Sequence, residues 1–152
     1  AVVACNGGCR SAEGEAGCAD GCIGCGACVD KCKFGAISIN EYGVAEVEEE
    51  KCIGCGACAK VCPQKVIHVH ECANYIVVKC SNKKKGAEAK KQCNVSCIGC
   101  GICEKTCTAG AIKIKDNCAV IEESICLSCG MCAVKCPRHV IHDLHGILTE
   151  IR

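Results

Sequence analysis

Four runs of cysteine with one spacing, C-x2-C-x2-C-x3-C, constrain this chain more than anything else in it. They are Cys22, Cys25, Cys28 and Cys32; Cys52, Cys55, Cys58 and Cys62; Cys97, Cys100, Cys103 and Cys107; and Cys126, Cys129, Cys132 and Cys136. Three thiolates two residues apart on a tight loop can each reach a different iron of one cubane, which is the bacterial-type 4Fe-4S pattern. Where two such runs lie in tandem, the fourth cysteine of each ligates the cluster of the other. The expected sets are Cys22, Cys25 and Cys28 with Cys62, and Cys52, Cys55 and Cys58 with Cys32. The second pair of runs gives Cys97, Cys100 and Cys103 with Cys136, and Cys126, Cys129 and Cys132 with Cys107, for four 4Fe-4S clusters in all.

Other uses of cysteine fit less well. Zinc takes four ligands from paired C-x2-C units, which leaves the third cysteine of every run without a role. Thiols three apart on one loop rarely bridge, and an odd total of 23 cysteines points to a reduced, anaerobic cytosol rather than secretion.

The rest of the composition agrees. Aromatic residues make up only 2% of the 152 residues, with no Trp, so the 50% apolar fraction rests on Ala, Val, Ile and the cysteines. That is little bulk for a small module's core, and the clusters are expected to supply it, with the apo form largely unfolded. The formal charge of +1 counts thiols as neutral. Sixteen thiolates around four doubly positive oxidised cores would leave the holoprotein at about −7. Nucleic acid is therefore not an expected partner. No apolar run approaches membrane-spanning length and no signal peptide is recognisable, so the segment reads as soluble. It begins without Met, as a processed chain or a piece of a longer polypeptide would.

The cysteine runs sit inside an internal repeat. Val2-Val3-Ala4-Cys5 overlies Val77-Val78-Lys79-Cys80, and the register holds at an offset of 75 through Cys18 on Cys93 and Gly35-Ala36-Ile37 on Gly110-Ala111-Ile112. A one-residue deletion then makes the offset 74, so that Cys52 to Cys62 matches Cys126 to Cys136. The expected fold is α+β: two tandem two-cluster ferredoxin modules from a duplication, each preceded by a short strand-helix segment, over residues 1–74 and 75–152. Strands are expected at 2–5 and 75–80. Small hairpin strands should follow the loops at 36–39, 44–47, 66–69, 111–114, 119–121 and 140–144. A helical turn should close each run, as at 27–31. Ser81 should cap a helix through Gln92, supported by Glu88 and Lys91, while Gly-rich 6–17 should form a weaker helix or a loop.

The V-V-x-C strand, the basic Cys80-Ser81-Asn82-Lys83 segment, a cysteine four residues before C-I-G-C-G, and the tandem motifs together resemble the soluble, cluster-rich part of the B subunit of Rnf complexes. These are membrane-bound ferredoxin:NAD oxidoreductases that couple electron flow to ion translocation. The resemblance implies an electron-transfer subunit with ferredoxin as donor and flavin- or cluster-bearing subunits as acceptor. It implies a cytoplasmic location at the face of a membrane complex, with membrane contact only through other subunits or an N-terminal helix. The alternatives are a free-standing soluble polyferredoxin, the electron carrier of another anaerobic oxidoreductase, or, from another class, a structural zinc protein.

Some residues depart from the pattern or stand outside it. Pro63 and Pro137 follow the fourth cysteine, but Lys33 and Thr108 replace proline after Cys32 and Cys107, restoring an N–H beside those sulfurs. Ser128 stands where the other runs have Gly, which bears on packing and hydrogen bonding around its loop. Of the remaining cysteines, Cys5, Cys9, Cys18 and Cys72 could in principle hold a fifth cluster, but the second unit has Lys84 for Cys9 and Gly146 for Cys72. The preferred reading of these four, with Cys80, Cys93 and Cys118, is buried thiols packing as small apolar groups. A Cys5–Cys18 disulfide would need oxidant. The histidines (68, 70, 139, 142 and 145) read as solvent-facing or hydrogen-bonding. No nucleophile with a base and no phosphate loop is present, so no catalytic site is expected. Lys79, Lys83, Lys84, Lys85, Lys90 and Lys91 make a positive patch in an acidic holoprotein, either a solvated helix face or a docking site for ferredoxin.

Overall fold

In the computed structural model the described residues are 1–7 and 18–146. They form short elements in the order β1 (Val2–Val3), α1 (Ala27–Lys31), β2 (Ile37–Ile39), β3 (Ala45–Val47), α2 (Ala57–Val61), β4 (Ile67–His68), β5 (Ile76–Val78), α3 (Gly86–Gln92), α4 (Ile102–Thr106), β6 (Ile112–Lys115), β7 (Cys118–Ile121), α5 (Met131–Lys135) and β8 (Ile141–Asp143). The result is a small mixed helix and strand fold in which the four turns after the cysteine loops are helical, each opened by a glycine in the left-handed region.

Among the described residues all sheets are two-stranded and antiparallel. β2 pairs with β3 and β6 with β7 as hairpins. The last strands, β4 and β8, instead pair back with the first strands of their halves. Val2 opposes His68 and Val3 opposes Ile67, and in the second half Val77 opposes His142 and Val78 opposes Ile141. The strands expected to precede the cysteine runs thus pair with the strands that follow them. Apolar burial holds these last strands in place: Val66 and Ile67, and in the second half Val140 and Ile141, are all buried.

The one-residue deletion lies in the hairpins. The β2–β3 connection runs from Asn40 to Val44, with the Asn40 Oδ1 accepting the Tyr42 and Val44 N–H groups at 3.1 Å each. The β6–β7 connection is the two-residue turn Asp116-Asn117, both at positive φ, 48° and 63°. Asn and Asp tolerate that region, and paired positive φ values match the twist of a two-residue hairpin.

Two hydrophobic clusters form, one per half. The first packs Val3, Ile37, Val44, Val66 and Ile67 with Cys28 and Cys58, and the second packs Ile76, Ile112, Val140 and Ile141 with Cys97, Cys103, Cys118, Cys132 and Cys136. Cysteine supplies a large part of each core.

The helix before Cys97 differs from expectation. α3 begins only at Gly86, and its N-cap, Lys85, makes no side-chain cap. Ser81 is drawn elsewhere: its hydroxyl donates to the Asp20 carbonyl at 2.5 Å, while the Lys83 N–H donates to Asp20 Oδ2 at 3.0 Å. Glu88 pairs with Lys84 at 3.9 Å, one turn back. The Asp20 contacts also join the two halves, as does the Asn6 amide with the His142 ring at 3.2 Å. The weaker helix or loop expected at 6–17 lies mostly outside the described residues. No helix among the described residues is long and apolar enough to cross a membrane.

Candidate metal centres

Each cysteine run places its first two thiols on an irregular loop, its third inside the following helix and its fourth at that helix's C-cap. A five-residue helix advances about 1.5 Å per residue. The fourth thiol is thereby carried away from its own loop, and packing of α1 on α2, and of α4 on α5, delivers it toward the other run. Cys62 lines one cavity with Cys22, Cys25 and Cys28, an apolar space of about 340 Å3 between atoms, partly open to solvent. Cys136 lines a similar one with Cys97, Cys100 and Cys103, of about 310 Å3. Cys107 lies close enough to Cys132 to interact with its charge, together with Cys126 and Cys129. For the remaining set, Cys58 senses Cys52, and Cys32 packs on the same core as Cys58.

The second thiols, Cys25, Cys55, Cys100 and Cys129, are exposed, and the third thiols are buried. Burial pushes the Cys28 and Cys58 thiols up and carries Cys103 and Cys132 up to about 11, with neighbouring thiolates adding to the rise. Four thiolates in so small a space repel one another, so the arrangement calls for a positive core between them. Among the described residues no three His, Cys, Asp or Glu side chains converge as a site for a single metal ion. A cubane takes one thiolate at each of four separated irons, whereas zinc draws its sulfurs to about 2.3 Å from one centre. The donor chemistry and the apolar cavities suit a cluster.

Backbone N–H groups point at several of these sulfurs. Gly24, Gly99 and Ser128 donate to Cys22, Cys97 and Cys126 at 3.4, 3.5 and 3.4 Å. Ser128 keeps this bond by adopting φ 49°, the left-handed conformation that Gly24 and Gly99 hold at 65° and 62°, and its hydroxyl donates to the Ala73 carbonyl at 3.3 Å. Cys32 and Cys107, the two fourth cysteines not followed by proline, accept N–H groups from Ala36 and Ala111 at 3.4 and 3.3 Å. The donors are thus four residues downstream, rather than Lys33 or Thr108 themselves.

The remaining cysteines divide. Cys93 and Cys118 are buried and Cys5, Cys18 and Cys80 half-buried, but Cys72 is exposed, against the reading that these thiols are all buried. It lies on the turn between β4 and β5. Cys9 lies outside the described residues. Sequence reasoning missed a thiol group beside Cys97. The Cys118 thiol donates to the Cys80 carbonyl at 3.3 Å, and the Cys97 N–H donates to the Cys80 sulfur at 3.2 Å. Hydrogen bonding with Cys118 lowers the Cys80 and Cys97 thiols, to about 7 and about 6, and raises Cys118 itself, first through Cys80 and then through Cys97. The signal was present in the repeat, since Cys118 stands in the register of Val44. Another missed contact is Arg138, whose guanidinium donates to the carbonyls of Ser96, Cys93 and Asn94, bracing the turn before Cys97. Of the histidines, His142 is buried, and His145 stacks on Tyr75 at 4.4 Å between ring centres.

The chain is also similar to known proteins. The 4Fe-4S dicluster domain family matches residues 21–66, and a 4Fe-4S binding domain family matches 96–110 and 123–139. The chain is 46% identical over 130 residues to the B subunit of the proton-translocating ferredoxin:NAD(+) oxidoreductase complex of Clostridium ljungdahlii, covering 84% of this chain and 46% of that one. It is 39% identical over 128 residues to the B subunit of the Na(+)-translocating ferredoxin:NAD(+) oxidoreductase complex of Acetobacterium woodii, covering 84% and 38%. A solved ferredoxin from Thauera aromatica is 32% identical over 31% of this chain and 66% of that one, with a TM-score of 0.29. The chain spans less than half the length of the Clostridium and Acetobacterium relatives. The chain carries 4Fe-4S ferredoxin-type domains and is, over 84% of its length, a homologue of the B subunits of Rnf-type complexes.

Proposed function

We propose that this chain is an electron wire of four 4Fe-4S clusters, two in each of two duplicated modules spanning 1–74 and 75–152, within an Rnf-type ferredoxin:NAD oxidoreductase complex. The observation that carries it is the placement of Cys62 with the first cysteine run and of Cys136 with the third. Together with Cys107 near the fourth run, it supports holding each cluster by three thiolates of one run and the fourth of its neighbour, all sixteen cysteines serving as ligands.

When bound, each cluster supplies a one-electron centre, and the protein's own levers are burial, charge and hydrogen bonds to sulfur. Loop N–H groups at Cys22, Cys97 and Cys126 favour the more negative, reduced state. Cross-ligation keeps the two sites of a module close, because the helices that carry their shared ligands pack on each other.

The lysine segment is the docking site for a reduced, acidic ferredoxin in this reading, with flavin- or cluster-bearing subunits as acceptors. Lys83, Lys84, Lys85, Lys90 and Lys91 are exposed, and the segment abuts the third cysteine loop: a Cβ on Gly86 would lie 2.7 Å from the Ile98 carbonyl oxygen. The test is stopped-flow mixing of anaerobically purified protein with a reduced low-potential ferredoxin. Bleaching of the cluster absorbance at a rate that rises with ferredoxin concentration is expected. A protein that stays oxidised under excess reduced ferredoxin would contradict it.

A further inference from the structure

The second and fourth cysteine runs carry different surfaces. Across the offset of 74, Lys51, Ile53, Ala57 and Lys60 correspond to Ile125, Leu127, Met131 and Val134. All four residues of the later set are exposed, at 48%, 74%, 45% and 48%. The lysine of α5 stands one place later than that of α2, at Lys135 in the register of Val61, about 100° further round the helix. Two lysines around one isoleucine in the first half are thus replaced by an apolar surface in the second.

These residues lie together. Ile125 and Leu127 flank Cys126, Leu127 and Met131 stand two places either side of Cys129, and Met131 and Val134 share a face of α5. Cys129 is itself exposed. The rim is acidic: Glu122 and Glu123 precede the run, and the turn carrying Glu71 is held against them. The Asn74 side-chain amide donates to the Glu123 carbonyl at 3.4 Å, its N–H donates to the Glu71 carbonyl at 3.0 Å, and the Ser128 hydroxyl donates to Ala73. All three glutamates are exposed, and none forms an ion pair among the described residues.

We propose that Ile125, Leu127, Met131 and Val134, rimmed by Glu71, Glu122 and Glu123, form the docking surface for an electron-accepting protein whose redox centre lies behind an apolar face ringed by basic residues. The inference rests on the four-cluster reading above and deepens it by giving the acceptor a place and a chemistry.

An apolar patch with a polar rim has the make-up of an interface core, from which charge is depleted. Charge selects the occupant. An acidic ferredoxin is attracted to Lys83, Lys84 and Lys85 beside the third run and repelled by the carboxylates here, whereas a basic-rimmed partner meets the reverse. A second copy of this chain would bring the same carboxylates together across a two-fold contact. At the contact one electron leaves the fourth site, which is oxidised, and enters the partner's centre, which is reduced. No bond or proton changes hands.

The test is stopped-flow reduction of ferric cytochrome c, whose haem edge is ringed by lysines, by the anaerobically reduced holoprotein, with iron analysis on the same samples. Each ferric haem takes one electron. Ile125→Lys with Val134→Lys, copying the second run, should slow the reaction about tenfold at low ionic strength, less as salt rises, and should not slow reduction of the holoprotein by ferredoxin. Glu122→Gln with Glu123→Gln leaves the apolar residues in place and should slow it several-fold, which keeps the inference falsifiable if the lysine variant fails to assemble. Glu49→Gln with Glu50→Gln makes the same charge change before the second run and should have no effect. Unchanged rates in the first two variants at a full iron count would overturn the docking surface, and so would equal slowing by the Glu49 and Glu50 pair, which would reduce the effect to net charge. A parent that sediments as a dimer, made monomeric by the lysine variant, would put a second copy there instead. An iron count short of four clusters in the parent would overturn the underlying assignment and the inference with it.

Discussion

The Asn117 side-chain amide donates to the Lys83 carbonyl at 2.9 Å. The Asn117 carbonyl in turn lies 3.0 Å from where a Cβ on Gly99 would stand. One turn residue thus ties the lysine segment to the third cysteine loop, which gives the positive patch a fixed position beside a proposed cluster. Replacing Lys83, Lys84 and Lys85 together by Gln should slow reduction by ferredoxin several-fold at low ionic strength, because exposed charges act mainly on association rates. Reduction by a small neutral reductant should not change. Equal rates with ferredoxin at all ionic strengths would leave the patch a solvated helix face.

The same contact separates two glycines. Gly54 and Gly99 both hold positive φ, at 73° and 62°, so alanine at either should cost about 1–2 kcal/mol in backbone strain. Around Gly54 a Cβ would meet only Val69, at 4.0 Å, whereas at Gly99 it would press on backbone. Gly99→Ala should therefore lower the denaturant midpoint of cluster bleaching more than Gly54→Ala. Matching midpoints would mean the Asn117 turn yields freely.

Cross-ligation has a signature in double mutants. Cys25→Ser and Cys62→Ser each disturb one site, and if they share a cluster the pair should lose about four irons, no more than either alone. Cys55→Ser with Cys62→Ser should lose about eight. The reverse pattern would assign Cys62 to its own run.

Thiol reactivity gives an independent reading. Cys72 is exposed and lies outside the sixteen proposed ligands, while Cys93 and Cys118 are buried. A brief pulse of iodoacetamide on the native holoprotein should label Cys72 well ahead of those two, with the sixteen proposed ligands following only after the clusters are stripped. Early labelling of Cys118 would place it at the surface.

Much of this was readable in advance because cysteine spacing and β-branched alternation are local signals. The runs at 27–31 and 102–106 form helical turns, and the hairpin strands fall within a residue or two of their expected limits. What escaped was long-range. Pairing of β1 with β4 depends on the chain returning after both cysteine runs, and Ser81 leaves its expected cap because Asp20, 61 residues away, takes its hydroxyl. Cys118 read as filler since a lone thiol in a strand says nothing of its neighbours, and only folding brings Cys80 and Cys97 to it.

The central claim is that sixteen cysteines hold four clusters, and iron with acid-labile sulfide per chain tests it most directly. Anaerobically purified protein should contain about sixteen of each. Values near eight, or near twenty, would contradict the account.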